Sequence, residues 1–305
     1  MIERADVIER DEKMRAGFVA VVGRPNAGKS TLLNHLVGEK LAMVSQKAQA
    51  TRKRMNIIVM HGATQIIFID TPGIHEKEKL LNQFMLEEAL KAIGDADAIL
   101  FLAPVTDGVD EYARFLERLG KKKTPHIVLL TKIDQVPQAR VLARLGEYQK
   151  FQEHFDAIIP FTIKKGGSKR QLLDAIANLL PEHPWLFDSE MLTTDNIRDI
   201  YRELIREAIF ENLSDEIPYE SDVVIDRIEE GEHMDRVFAT IVVEKPTQKG
   251  MMVGQRGETI RRVGTDARKI MEHFAEKKIY LDLHVSIKRG WSKNRAGLEE
   301  LGYQF

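Results

Sequence analysis

Residues 18–31, Phe-Val-Ala-Val-Val-Gly-Arg-Pro-Asn-Ala-Gly-Lys-Ser-Thr, hold a short apolar run that passes directly into the pattern G-x-x-x-x-G-K-S. Phe18 to Val22 reads as a buried strand, and Leu32–Leu36 continues at helical spacing. A phosphate needs several donors converging on a small volume. Gly23 and Gly28 let the backbone wrap an anion, so that the N–H groups of Asn26, Ala27, Gly28 and Thr31 can turn inward ahead of a helix N-terminus. Lys29 then reaches the terminal phosphates, and the Ser30 hydroxyl suits a Mg²⁺ ligand. A chance Gly turn would not fill every fixed position between a strand and a helix. The motif implies a nucleoside triphosphate.

Later segments select the base. Gln65–Ile69 is a second apolar run, ending in Asp70-Thr71-Pro72-Gly73. A carboxylate at that strand end belongs to Mg²⁺ through a bound water, and Gly73 leaves room for its N–H to approach a γ-phosphate. After His126–Leu130 come Thr131, Lys132 and Asp134. A carboxylate such as Asp134 accepts from both guanine N1–H and the 2-amino group, whereas adenine would leave it unpaired. The Lys132 stem can cover the base. One strand later, Thr162-Ile163-Lys164 follows Ala157–Phe161, and the Ile163 N–H is the donor expected at guanine O6. The expected ligand is GTP or GDP with Mg²⁺.

This set resembles the translation-factor class of P-loop GTPases. Two departures stand out: Thr131 where the family usually has Asn, and Thr162-Ile163 where it has Ser-Ala. The Asn ties the phosphate loop to the base loop in that class, so weaker nucleotide affinity is expected. The basic run at residues 45–54 contains a single Thr, Thr51, assigned here to Mg²⁺ and γ-phosphate. Lys29, Thr51 and Gly73 form the expected catalytic set. Small GTPases place a water-orienting Gln just after the Asp-x-x-Gly motif, but Ile74 stands there, so intrinsic turnover should be slow. Asn26 either ligates a monovalent cation, which would make hydrolysis K⁺-dependent, or simply suits a tight turn.

The length of 305 residues accommodates two cores. With no Cys, disulfides and Cys-based zinc sites are excluded. No apolar run nears the ~20 residues of a membrane span, and Met1–Arg15 lacks a signal-peptide core. The expected location is the cytoplasm, with peripheral contact at the cytoplasmic membrane left open.

The alternating pattern predicts a doubly wound α/β sheet to about Leu180, and Pro181 to Pro184 breaks it. Four segments follow: an extension at 1–15, a nucleotide domain at 16–185, a linker at 186–194 and a second domain with its tail at 195–305. The second reads helix (Asp195–Leu213), two strands (Asp222–Glu229, Val237–Glu244), two helices around Gly254-Gln255-Arg256-Gly257, and a strand (Ile279–Ile287). This order resembles a type II KH domain, a module that clamps about four single-stranded nucleotides. Residues 245–295 carry thirteen basic against five acidic residues, and 190–244 carry five against sixteen. Segregation this strong favours one nucleic-acid face. Lys249, Arg256, Arg261, Arg262, Lys288 and Arg289 are the expected phosphate contacts. Gly254, Gln255 and Gly257 complete the loop, and Trp291 is either a base-stacking residue or a packing anchor.

The whole chain resembles the Era family of bacterial ribosome-assembly GTPases. The resemblance spans roughly residues 16–304 through GRPNAGKST, KAQATRKR, DTPGIH, ENLSDEIPYE, VGQRGETIRRVG and GWSKNRAGLEELGY. It implies a monomeric switch whose GTP form binds the single-stranded 3′ end of 16S rRNA and assists small-subunit maturation. It also implies peripheral association with the inner membrane. The alternatives are a membrane-surface GTPase without an RNA target, a metabolic P-loop kinase or ATPase, and a second domain that only dimerises.

Overall fold

The computed structural model describes residues 13–38, 51–72, 80–120, 123–164, 167–214 and 216–303. The chain forms β1 (Arg15–Val22), α1 (Lys29–Val37), β2 (Met55–His61), β3 (Thr64–Asp70), α2 (Leu80–Asp95), β4 (Ala98–Pro104) and α3 (Asp110–Leu119). It continues through β5 (His126–Thr131), α4 (Gln138–Tyr148), β6 (Ala157–Pro160) and α5 (Gly167–Leu179). Among the described residues these build a six-stranded sheet in the order β2-β3-β1-β4-β5-β6. Strands β3, β4 and β5 are buried along their whole length, as near-continuous apolar runs flanked by helices require.

The sheet is α/β as expected but not wholly parallel. Strand β2 pairs antiparallel with β3, Met55 opposite Asp70 and His61 opposite Thr64, across a turn at Gly62 and Ala63. Strand order reverses at β1, which lies between β3 and β4, and ligands bind at the carboxyl ends of such switch points.

Residues expected to be a linker instead cover the outer edge of β2. The Ile58 N–H donates to the Leu192 carbonyl at 2.8 Å, and the Gln65 amide is bound by the Leu186 N–H, the Phe187 N–H and the Phe187 carbonyl. An edge strand left bare would be a template for unwanted pairing.

The second unit is α6 (Ile197–Asn212), β7 (Ser221–Glu229), β8 (Met234–Val243), α7 (Pro246–Val253), α8 (Glu258–Ala275), β9 (Lys278–Ile287) and α9 (Arg295–Glu300). Asn196 caps α6, its side chain accepting from the Asp199 N–H at 2.9 Å. Helix α8 buries Val263, Ala267 and Met271, spaced four apart on one stripe. Strand β8 is antiparallel to β7 and parallel to β9. The order of elements matches the expected KH pattern. One apolar cluster runs unbroken from Val19 and Leu33 to Leu204, Val223 and Val285, so the two units share packed surface.

Candidate functional site

The phosphate loop spans the gap between β1 and α1. Gly28 ends it at φ +102°, a left-handed conformation that a Cβ would strain. Lys29, buried to 7% exposure, folds its ammonium back over the loop, donating to the Gly23 carbonyl at 3.2 Å and the Arg24 carbonyl at 3.4 Å. Burial lowers its pKa to about 8, while Asp70 pulls the other way. Two ties brace the loop. Arg24 makes a forked pair with Asp107, with Nη2 to Oδ1 at 2.8 Å, and the Thr71 hydroxyl donates to the Val21 carbonyl at 2.7 Å. Neither tie is visible from motif spacing. Asn26 adopts φ +61°, in the left-handed region, and is exposed.

Behind the loop three oxygens meet. The Ser30 hydroxyl donates to Asp70 Oδ2 at 2.9 Å, and Thr51 lies 3.3 Å from Ser30 and 3.5 Å from Asp70. Among the described residues, Asp70 Oδ1 is buried with no hydrogen-bond partner. Burial pushes the Asp70 carboxyl up to about 6 against the pull of Lys29 and Ser30. An orphaned carboxylate oxygen among hydroxyls is a hard-oxygen donor set that suits Mg²⁺. Ser30, Thr51 and, through water, Asp70 would hold the ion, which would neutralise charge on the phosphates. Gly73, expected at the γ-phosphate, and Ile74 lie outside the described residues.

The base loops assemble at the ends of β5 and β6. The tie expected to be missing with Thr131 is present in shorter form: its hydroxyl donates to the Ala27 carbonyl at 3.3 Å. Lys132, at φ +59°, donates to the Asn26 carbonyl at 2.8 Å. Thr162 donates to Asp134 Oδ1 at 2.9 Å and accepts from the Lys164 N–H, while Lys164 Nζ reaches Asp134 Oδ2 at 2.6 Å. Lys164 first, then Thr162, holds the Asp134 carboxyl below its ordinary value. Ile163 is exposed at the loop tip. The arrangement can seat a purine whose edge carries two adjacent donors.

The second face centres on the turn between α7 and α8. A Cβ on Gly254, at φ +74°, would lie 2.2 Å from the Thr259 hydroxyl oxygen, so the turn closes only with glycine there. Gln255 and Arg256 are exposed at its tip, Arg256 in the left-handed region at φ +50°, and Gly257 starts α8. Arg261 and Arg262 are exposed one turn on, Arg262 donating to the Asn212 carbonyl at 3.2 Å. Lys249 is half-buried on α7, Arg289 is exposed after β9, and Lys288 is paired with Glu300. Trp291 does not stack on a base: it is fully buried, beside Leu298 and Tyr303, with the Arg52 guanidinium 5.8 Å over its ring. Tyr303 is buried too. Arg52 itself drew no role from sequence, since it sits in a run of basic residues that reads as solvated.

Comparison with known proteins covers both units. A family profile described as 50S ribosome-binding GTPase matches residues 18–132, and a KH domain profile matches residues 204–292. GTPase Era of Campylobacter concisus is 47% identical over 291 residues, covering 95% of this chain and all of the relative. The crystal structure of Aquifex aeolicus Era Y63A bound to GDP and AlF4⁻ superposes with a TM-score of 0.91 at 32% identity, over 96% of this chain and 100% of that one. A crystal structure of Era with MgGDPNP and nucleotides 1506–1542 of 16S ribosomal RNA gives a TM-score of 0.89 at 33% identity, with the same coverage.

Proposed function

The chain belongs to the Era family of GTPases, and from that membership we propose that it is a GTP-controlled switch acting on the 3′ end of 16S rRNA during small-subunit maturation. The observation that carries the nucleotide half is the Ser30–Thr51–Asp70 oxygen cluster, with its orphaned Oδ1, beneath the buried Lys29 ammonium. Gly23, Asn26, Ala27, Gly28, Lys29, Ser30 and Thr31 would cradle the phosphates. Thr131, Lys132, Asp134, Thr162, Ile163 and Lys164 would enclose guanine, and Gly73 would meet the γ-phosphate. Lys29, Thr51 and Gly73 would stabilise the charge that develops as phosphate leaves. With Ile74 unable to orient water, turnover is slow, and Asn26 would make it faster in K⁺ than in Na⁺.

The RNA half rests on the exposed Arg256, Arg261, Arg262 and Arg289, with Lys249 and the Gly254–Gly257 turn. Anionic membrane would compete for the basic tract at residues 277–295. Four of its cations are already paired, Lys277 with Asp235, Lys278 with Glu272, Lys288 with Glu300 and Arg295 with Glu299, which favours RNA through the turn. No helix among the described residues is long and apolar enough to cross a membrane. We place the protein in the cytoplasm as a monomer, with residues 16–185 as the nucleotide domain and 195–305 as the RNA domain. Phosphate release from GTP and ATP, run beside anisotropy of a short single-stranded RNA, tests both halves. Release from GTP alone, with RNA binding lost in Arg261→Glu, is expected. Equal use of ATP would contradict the base assignment.

A further inference from the structure

Arg52 joins the two units where the chain leaves the metal-binding oxygens. The preceding residue, Thr51, lies against Ser30 and Asp70. The Arg52 guanidinium, 2% exposed, is bound wholly by the second unit. It donates to the carbonyls of Tyr219 at 2.7 Å, Ser221 at 2.8 Å and Pro218 at 3.3 Å, and lies 3.6 Å from the Asp222 carboxylate. Its Cζ sits over the Trp291 ring, within cation–π range.

Asp222 is the hub of this cage. Arg202 reaches it at 2.8 Å, Arg206 at 3.7 Å and the Tyr303 hydroxyl at 2.5 Å. Burial alone would push the Asp222 carboxyl up. Arg202, Arg52 and Arg206, with Tyr303, outweigh it and hold the carboxyl well below the ordinary range, so the hub stays anionic. The donors outnumber the acceptors: among the described residues Arg202 Nε and Arg206 Nε and Nη2 are buried without a hydrogen-bond partner, Arg206 Nε keeping only its 3.7 Å ion pair with Asp222. The cage therefore keeps its hub anion paired when one guanidinium leaves.

Helix α2 bears on the same tail. It sets Phe84 edge-on to Tyr303 at 4.9 Å, and Leu81 and Met85 join Trp291, Leu298 and Leu301 in one cluster. Lys53 adds a hydrogen bond to the Gly302 carbonyl. Two residues before Trp291 stands Arg289, on the proposed RNA face. Neighbouring Cα atoms lie about 3.8 Å apart, so a displacement of Thr51 moves the backbone that carries the Arg52 side chain.

We propose that Arg52 is a positioning residue that transmits occupancy of the γ-phosphate and metal site to the C-terminal tail and thence to Lys288 and Arg289. With Thr51 held on the metal, the guanidinium is seated and Trp291 is packed. With Thr51 released, the guanidinium withdraws and the environment of Trp291 changes. The proposal rests on the guanine-nucleotide reading of the site.

Trp185→Phe leaves Trp291 as the sole tryptophan of the chain. In that background, exchanging GDP for a non-hydrolysable GTP analogue with Mg²⁺ should shift Trp291 emission. Arg52→Gln should abolish the shift, and Arg52→Lys, which keeps the charge and some carbonyl contacts, should restore part of it. A thermal melt reports whether each variant folds. The ratio of RNA affinities in the two nucleotide states, about 5- to 150-fold for typical coupling, should fall towards one in Arg52→Gln. Calorimetric titration with GDP separates the outcomes. No nucleotide binding by the unsubstituted protein would overturn the reading beneath the proposal. Binding with an unchanged Trp291 signal, or a full signal in Arg52→Gln, would overturn the proposal alone.

Discussion

Both oxygens of Asp134 are engaged, by the Thr162 hydroxyl and the Lys164 ammonium, so the carboxylate is oriented before any base arrives. Asp134→Asn replaces one acceptor with a donor facing the guanine N1–H and 2-amino edge. Each unpaired group costs about 1–3 kcal/mol, so GTP affinity should fall at least about tenfold. Xanthosine triphosphate, which presents a carbonyl in place of the amino group, should bind the variant better than GTP in competition titrations. Thr131→Ala removes the hydroxyl that ties the base loop to the Ala27 carbonyl. A hydrogen bond worth about 1 kcal/mol predicts roughly a fivefold loss in GDP affinity, read by fluorescent-nucleotide titration.

At this scale the sequence was legible wherever chemistry fixes residue type. Lys29, Ser30 and Asp70 lie together at the phosphate loop and Asp134 follows β5, the places their motifs imply, because phosphate, cation and base permit few substitutes. The compensation at Thr131 was not legible, since whether a shorter hydroxyl reaches Ala27 depends on loop separation. Nor was Arg52, whose partners at residues 218–222 lie far along the chain. Trp291 had two sequence readings, and only its neighbours from α2 and the tail decide for packing.

Among the elements, β5 carries a buried titratable group. His126 Nδ1 lies 3.1 Å from the Thr124 carbonyl, and Nε2 lies 2.7 Å from the Tyr112 hydroxyl on α3, with Phe115 edge-on to the ring. The neutral imidazole satisfies both contacts, donating to the carbonyl and accepting from the phenol. Burial lowers its pKa below 6.5, against the opposing pull of the Thr124 carbonyl and Asp156. Above that value both folded and unfolded chains hold a neutral ring. As pH falls through 6.5 the unfolded chain takes up a proton that the folded one resists, so stability declines until the lower folded value is passed. Urea midpoints should therefore drop between pH 7.5 and about 5.5, and more steeply than in His126→Gln. Parallel curves for the two proteins would contradict this.

The second unit's elements were legible to within a few residues because periodicity switches cleanly there, from the stripe of α6 to the alternation of β7 and β8. Strand β2 drew no reading of its own from the sequence. Its Met-Asn-Ile-Ile-Val-Met-His run follows a basic segment that suggested open loop, and only the Gly62-Ala63 turn before β3 signals a hairpin. The antiparallel edge and the covering of that edge by residues 186–194 were lost together.

For the molecule as a whole, binding should behave as a charged face meeting a single strand. Each phosphate contact contributes about −0.7 to the slope of log affinity against log salt. Arg261→Glu should flatten that slope by at least about 0.7, and an unaltered slope would remove Arg261 from the interface. The segregation of basic and acidic stretches pointed to this face from sequence. What sequence could not supply was the contact between units, because a shared core and a buried ionic cage arise from surfaces that no local pattern marks.

The most direct test of the central claim is the affinity of a labelled single-stranded RNA copying the 3′ end of 16S rRNA, measured in the GTP-analogue and GDP forms. A scrambled RNA and the Arg256→Glu protein serve as controls. Tight, sequence-selective binding confined to the triphosphate form, and lost in Arg256→Glu, is predicted. Equal, salt-sensitive binding of every RNA in both nucleotide states would contradict it.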